Sequence, residues 1–126
     1  MPCKTAGPLL EKCVKAIEEL DYNRVETIVL PDASLSKGLV NASVIPTGPL
    51  GPAHKRDIGA RAAKGEILAF IDDDAYPAAD WLSRATDLFD NPEIVAVGGP
   101  GVTPLSDGLL EQGSGWVYSS WLGGGG

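Results

Sequence analysis

The chain is poor in the residue types that would make it basic, disulfide-linked or membrane-spanning. Its 126 residues include 10 Lys or Arg against 17 Asp or Glu, giving a formal net charge of -7. This balance argues against a sequence-independent grip on nucleic acid, which needs clustered basic side chains. No apolar stretch reaches the roughly 18 residues that a membrane-spanning helix needs. An anionic ligand would therefore have to be met locally, by a metal ion or a few basic residues.

Cysteine is also scarce. Cys3 and Cys13 fit neither a disulfide framework nor a zinc-ligand spacing, and no signal-peptide pattern precedes them. Reduced thiols in a cytoplasmic protein are the simplest interpretation. The length predicts one domain at most over residues 1–126, with the Gly-rich end at 123–126 expected to be disordered.

Stretches with helical and strand-like patterns alternate along the chain. Such alternation is typical of a mostly parallel sheet covered by helices on both faces. The boundaries of the predicted helices and strands follow from the spacing of apolar residues, the Gly/Pro loops and the β-branched runs. Helices are predicted over 8–20, 53–65 and 78–89, and strands over 25–30, 39–46, 66–71 and 94–99. The run EILAFI at 66–71 has the composition of a strand buried on both faces.

Three consecutive acids, Asp72, Asp73 and Asp74, follow the predicted strand 66–71, and Asp32 follows the strand 25–30. In open parallel sheets, ligands bind beyond the carboxyl ends of the strands. Neighbouring carboxylates repel unless a cation neutralises them, and Mg2+ or Mn2+ does so through oxygen ligands. The pattern predicts half of a metal-diphosphate site. A solvated turn with Asp80 as a helix N-cap explains the spacing equally well.

Four segments, taken together in order and spacing, resemble the donor-binding half of family 2 glycosyltransferases. They extend from about Leu9 to Gly101 and read LLEKCVKAIEEL, ETIVLPDAS, GPAHKRDIGARAAKGEILAFIDDDAYP and DWLSRATDLFDNPEIVAVGG. The resemblance implies an α/β fold of the GT-A (Rossmann-like) type, here incomplete. It also implies an inverting, metal-dependent transfer of a sugar from a nucleotide-sugar donor.

The resemblance assigns roles to individual residues. Asp32 corresponds to the acid that contacts the nucleotide base or ribose, and Arg56 to a basic residue near the nucleotide. The Asp72–Asp74 run matches the family's DXD motif. It implies Asp74 and Asp72 as ligands of Mg2+ or Mn2+, with Asp72 and Asp73 also helping to hold the ribose or sugar.

Two of these positions carry alternatives. Asp57 stands where the family more often has Asn, which leaves its role open. Arg56 could instead be a helix-surface residue that pairs with Asp57 or Glu66.

The sequence also departs from the family at both ends. Family members usually have a strand just before the first helix, and a second half that supplies the catalytic base and binds the acceptor. Their lack in this sequence leads us to expect doubtful turnover. It also predicts marginal stability, self-association through exposed sheet edges, or a rearranged sheet. No residue is assigned as the catalytic base.

The resemblance implies a UDP-, GDP- or dTDP-sugar donor and a sugar or lipid acceptor, such as a cell-surface polysaccharide. It implies a cytoplasmic location, peripheral to the inner face of the membrane in a longer parent protein. Two other functions remain open: a non-catalytic nucleotide-binding module, and a receiver-type signalling domain. A receiver-type domain fits poorly, since the acids of such a domain are separated along the chain whereas Asp72–Asp74 are contiguous. Such a domain also needs a lysine after a late strand, and no lysine follows Lys64.

Overall fold

The computed structural model describes residues 1–35, 38–99 and 101–120, without the side chains of residues 118 and 119. The predicted disorder at 123–126 lies outside these residues. The chain divides into two compact units, Met1–Asp90 and Asn91–Gly126. All the predicted donor-site residues belong to the first unit.

The first unit contains three helices and two strands, in the order that the sequence predicts. Each is shorter than its prediction because the hydrogen-bonded part ends before the apolar pattern does. The elements are α1 (Pro8–Glu18), β1 (Thr27–Val29), β2 (Ala42–Val44), α2 (Pro52–Ala62) and α3 (Trp81–Leu88). Helices α1 and α2 each begin with a proline in the first turn, where its missing N–H costs no hydrogen bond.

Strand β1 lies between two parallel neighbours. On one side it pairs with β2, with Ile28 opposite Ser43. On the other side the extended segment at the start of the chain runs parallel to it through a bridge between Pro2 and Leu30. There the Leu30 N–H donates to the Met1 carbonyl at 2.9 Å, and the Cys3 N–H donates to the Leu30 carbonyl at 3.2 Å. The fold is therefore an incomplete α/β fold with parallel pairing.

The core of the first unit forms where α1 packs on these strands. Its buried cluster comprises Cys3, Leu10, Val14 and Val29. Helix α2 approaches the carboxyl end of β1 closely at Gly59, where a Cβ atom would lie 2.8 Å from Leu30 Cδ1. Glycine at this position therefore lets the helix backbone lie against the end of the strand.

Residues 66–71 do not form the predicted buried strand. They adopt no hydrogen-bonded strand conformation, and Ile67, Leu68 and Phe70 are about half exposed. A strand needs a backbone partner as well as an apolar sequence, and no backbone hydrogen bond of the described residues reaches this segment. The prediction was wrong because the composition of 66–71 reports a preference for burial but not whether a neighbouring backbone is present.

The second unit contains the helix α4 (Leu109–Ser119), which the sequence patterns did not predict. Its Gly113 and Gly115 weaken the local helix signal. The predicted strand at 94–99 is unpaired in this unit, and Val95 is largely exposed. Within the described residues, no helix has both the length and the apolar character required to cross a bilayer.

Candidate functional site

Asp32 is held at the carboxyl end of β1 by a buried lysine from α2. The Lys55 ammonium forms an ion pair with Asp32 Oδ1. It also donates to the Cys3 carbonyl at 2.6 Å and to the Leu30 carbonyl at 3.2 Å. Lys55 is only 2% exposed. Its ammonium has three acceptors and is therefore fully hydrogen-bonded. Lys55 thus joins α2 to both parallel segments that end here.

The backbone of Asp32 is fixed from two directions. Its N–H donates to the Lys4 carbonyl at 3.1 Å, and its carbonyl accepts from the Gly48 N–H at 3.0 Å. Gly48 has φ of +78°, in the left-handed region that favours glycine. No hydrogen bond of the described residues uses Asp32 Oδ2, and about a third of the side chain is exposed. One carboxylate oxygen is therefore anchored and the other can accept from a ligand.

Arg56, the next residue of α2, pairs with Asp72, the first acid of the run Asp72–Asp74 (the acidic tract). Its guanidinium lies 2.5 Å from Asp72 Oδ1, and both side chains are partly exposed. The expected alternative pairing of Arg56 with Asp57 or Glu66 is wrong, because the chain after α2 brings Asp72 back to the helix. Two residues predicted for one donor site are thus in direct contact.

The two buried thiols show that the acidic tract also lies close to the start of the chain. The Cys13 thiol donates to the Asp72 carbonyl at 3.7 Å. The pKa of Cys13 is raised to about 11, chiefly by burial, with a smaller contribution from the carboxylates of Asp73 and Asp74. Burial likewise raises the pKa of Cys3, with the Asp73 carboxylate as the next cause. Because Lys55 pairs with Asp32 and the next residue, Arg56, pairs with Asp72, both acidic segments contact the same helix, α2.

Residues 1–122 match the sequence profile of glycosyl transferase family 2. The chain belongs to this family. The predicted recognition and the GT-A type of fold are therefore confirmed.

A curated relative supports the same assignment over a shorter region. A glucosyl-dolichyl phosphate glucuronosyltransferase from Haloferax volcanii is 42% identical over 50 residues, which are 39% of this chain and 16% of that protein. The comparison therefore spans about a sixth of the relative's length. No solved structure gives a significant match.

The exposed acids of this family 2 glycosyltransferase chain have the donor chemistry of a Mg2+ or Mn2+ site. Asp72 and Asp74 are exposed, and no hydrogen bond or ion pair of the described residues involves the Asp74 carboxylate. Within the described part of the chain no three His, Cys, Asp or Glu side chains form a ready metal cluster. Mg2+ usually takes only one or two protein carboxylates and completes its shell with phosphate oxygens and water. Two carboxylates beside an arginine fit that requirement.

The alternative role of Asp80 as a capping side chain does not match the structure. Asp80 is the N-cap residue of α3, but its side chain makes no capping hydrogen bond. Its carboxylate instead pairs with Arg84 at 2.6 Å.

Lys55 is the residue at this site that the sequence patterns missed. A lysine in a helix is normally a solvated surface residue. The available signal was its spacing, since Lys55 and Gly59 are four residues apart and therefore share one helix face. A glycine that permits close packing marks that face as buried.

Proposed function

We propose that the first unit binds a nucleoside diphosphate sugar with a divalent metal ion, as the donor site of an inverting glycosyltransferase. The Arg56–Asp72 contact carries this proposal, because it places a cation that suits phosphate beside an acid that suits a metal. Asp32, with its anchored carboxylate, is near the same segments. Family membership supports nucleotide-sugar chemistry in general.

Each residue has a separate task in this proposal. Asp32 Oδ2 accepts a hydrogen bond from the base or ribose, and Arg56 contacts the diphosphate. Asp74 and Asp72 would hold Mg2+ or Mn2+, and Asp73 would help to orient the ribose or sugar. A bound metal would offset the charge that develops on the nucleoside diphosphate as it leaves.

Diphosphate binding requires Arg56 to be shared between two anions. The Asp72 carboxylate has two oxygens, of which only Oδ1 contacts Arg56. The guanidinium has five N–H donors, so it can keep this contact while it donates to a phosphate. Because both side chains are partly exposed, a ligand can reach them without displacing the buried core.

The substrates and location extend the proposal. We propose a UDP-, GDP- or dTDP-sugar donor and a sugar or lipid acceptor, such as a cell-surface polysaccharide, used at the cytoplasmic face of a membrane. The Haloferax volcanii relative transfers a glucuronosyl group according to its name, so an activated glucuronic acid is the first donor to test. Self-association through the unpaired segment 66–71 is part of the proposal. No described acid is assigned as the catalytic base.

Calorimetric titration of UDP and GDP, with and without Mn2+, tests the donor site directly. We expect Mn2+-dependent binding that weakens by about tenfold or more in Asp74→Ala, because a metal ligand is lost. Asp87→Ala is the matched control, since Asp87 is an exposed acid on α3 away from the acidic tract. Metal-independent binding, or equal losses in the two variants, would contradict the proposed metal role.

A non-catalytic nucleotide-binding module is the second candidate, since the same residues would bind the nucleotide. A donor-hydrolysis or transfer assay on the nucleotide-binding protein separates the two functions. Sugar released or transferred in a metal-dependent manner supports the enzyme, whereas binding without turnover favours the module. The family match argues against a receiver-type signalling domain.

A further inference from the structure

The acidic tract lies in a tight turn, and the second and third acids are the central residues of that turn. The Ala75 N–H donates to the Asp72 carbonyl at 3.2 Å, which closes the turn around Asp73 and Asp74. Asp74 is exposed and Asp73 is partly exposed. The direction in which these carboxylates point depends on how the backbone of the turn is held.

Helix α1 holds the first residue of this turn. The Cys13 thiol donates to the Asp72 carbonyl at 3.7 Å, the same oxygen that accepts from the Ala75 N–H. A thiol is a weak donor, so this contact is a weak anchor. The chain is next tied to this side of the fold at Ala79, whose carbonyl accepts from the Asp21 N–H at 2.9 Å. Residues 73–78 lie between these two anchors.

The Tyr76 side chain contacts α1 between the two anchors. The Lys12 ammonium lies 3.8 Å from the centroid of the Tyr76 ring, within the roughly 6 Å over which a cation is attracted to an aromatic face. Because Lys12 and Cys13 are consecutive, neighbouring residues of α1 contact both sides of the turn. Among the described residues, no hydrogen bond or ion pair joins the side chains of Asp73, Asp74 or Tyr76 to the rest of the chain. The contact between cation and ring therefore restrains the part of the turn that hydrogen bonds do not.

We propose that Lys12 and Tyr76 are positioning residues of the donor site, whose contact holds the turn so that Asp74 presents its carboxylate to the metal ion. Neither side chain is assigned a contact with the donor. The inference rests on the proposed function and adds α1 to that site. Helix α2 orients Asp72 through Arg56, and α1 restrains the other side of the same turn.

The physical effect of this contact is to order the turn before a ligand arrives. A turn that is already held loses less conformational freedom when metal and nucleotide bind, so binding is tighter. Charge alone predicts the opposite for free metal, because a lysine near the site repels a divalent cation. The Tyr76 ring is neutral, so its removal tests the restraint without changing the charge of the site.

Calorimetric titration of UDP and GDP in the presence of Mn2+ tests the consequence for the site. Lys12→Met and Tyr76→Leu should each weaken binding by about two- to fivefold, as expected for loss of an exposed cation–π contact. The double variant should be no weaker than either single variant, because all three lose one shared contact. Lys12→Arg and Tyr76→Phe keep the cation and the ring and should restore binding. Lys15→Met is the matched control, since Lys15 is an exposed lysine of α1 that pairs with Glu19.

Exchange of the Ala75 amide with water gives a second measurement that needs neither metal nor nucleotide. This N–H closes the turn, so its exchange rate by NMR reports how often the turn opens. Lys12→Met and Tyr76→Leu should raise the rate by about the same two- to fivefold, and Lys12→Arg and Tyr76→Phe should not. Urea denaturation midpoints should stay unchanged, because both side chains are exposed and the restraint is local.

The two measurements separate failure of this inference from failure of the proposed function. Absence of Mn2+-dependent nucleotide binding in the unmodified protein would overturn the donor site and, with it, the positioning role. Normal binding by Lys12→Met and Tyr76→Leu would overturn the positioning role and leave the donor site in place. Additive losses in the double variant would assign the two side chains separate contacts with the ligand and overturn it as well. Unchanged exchange at Ala75 would show that the contact does not hold the turn, which also overturns it.

Discussion

Lys55 is the buried charge on which the arrangement at the end of β1 depends. Its ammonium bonds to Cys3, Leu30 and Asp32, which lie on two separate segments of the chain. A buried ammonium with all three protons donated avoids the cost of an unsatisfied charge. The same contacts fix one oxygen of Asp32, while the other makes no hydrogen bond with the described residues. Asp32 is therefore oriented before any ligand arrives.

Lys55→Met should destabilise the protein while keeping most of the aliphatic side-chain volume. The change removes the charge and leaves the carbonyls of Cys3 and Leu30 without this donor. We expect the free energy of unfolding to fall by about 3 kcal/mol, measured by urea denaturation. Lys15→Met is the control, because Lys15 forms only an exposed pair with Glu19 and should change stability by less than about 0.5 kcal/mol. Similar stability losses in both variants would contradict the role of Lys55.

The Cys13 thiol should make stability fall at alkaline pH. Its pKa rises from 9.0 to about 11 in the folded chain because it is buried. The unfolded thiol therefore loses its proton first, so this contribution to stability is complete below pH 9.0 and disappears as the pH rises toward 11. Denaturation curves across that range should show a smaller decline in Cys13→Ala than in the unmodified protein. Equal declines would show that the folded thiol titrates normally.

At the scale of secondary structure, the sequence correctly predicted the three helices of the first unit and the two strands that pair with each other. α1 and α3 formed within the predicted ranges, α2 began one residue before its predicted range, and β1 and β2 formed inside longer apolar runs. The strands predicted at 66–71 and 94–99 did not form, because composition does not show whether a neighbouring edge is present. The prediction that the acidic segments lie close together was argued from two strand ends, but only the first of those strands formed, and α2 contacts both segments instead. The Lys55–Asp32 and Arg56–Asp72 pairs were not, since they depend on how α2 packs.

The contact between α2 and β1 predicts the effect of enlarging Gly59. A Cβ atom there would lie 2.8 Å from the Leu30 side chain, which is itself buried. Gly59→Val adds two further methyl groups, and we expect it to lower the free energy of unfolding by about 1–3 kcal/mol. Ala62→Val is the control on an exposed face of α2 and should cost only a few tenths of a kcal/mol. A stable Gly59→Val protein would show that the helix moves away without penalty.

Across the whole molecule, an acidic surface coexists with exposed apolar residues. The net charge of -7 produces repulsion between copies. In the first unit Phe70 is 54% exposed beside unpaired backbone, and in the second unit Leu110 is 86% exposed. Repulsion and apolar attraction therefore oppose each other when two copies meet.

This opposition predicts how self-association responds to salt. Raising NaCl from about 0.02 M to about 0.5 M shortens the screening length and weakens the repulsion, while apolar burial remains favourable. We therefore expect sedimentation velocity to show larger species at high salt, and Phe70→Glu to suppress them more than Leu110→Glu does. The difference arises because Phe70 adjoins backbone groups that can pair between copies, whereas the backbone of α4 is already hydrogen-bonded. Dissociation by salt would instead indicate that ion pairs hold the copies together, and a stronger effect of Leu110→Glu would place the contact on α4.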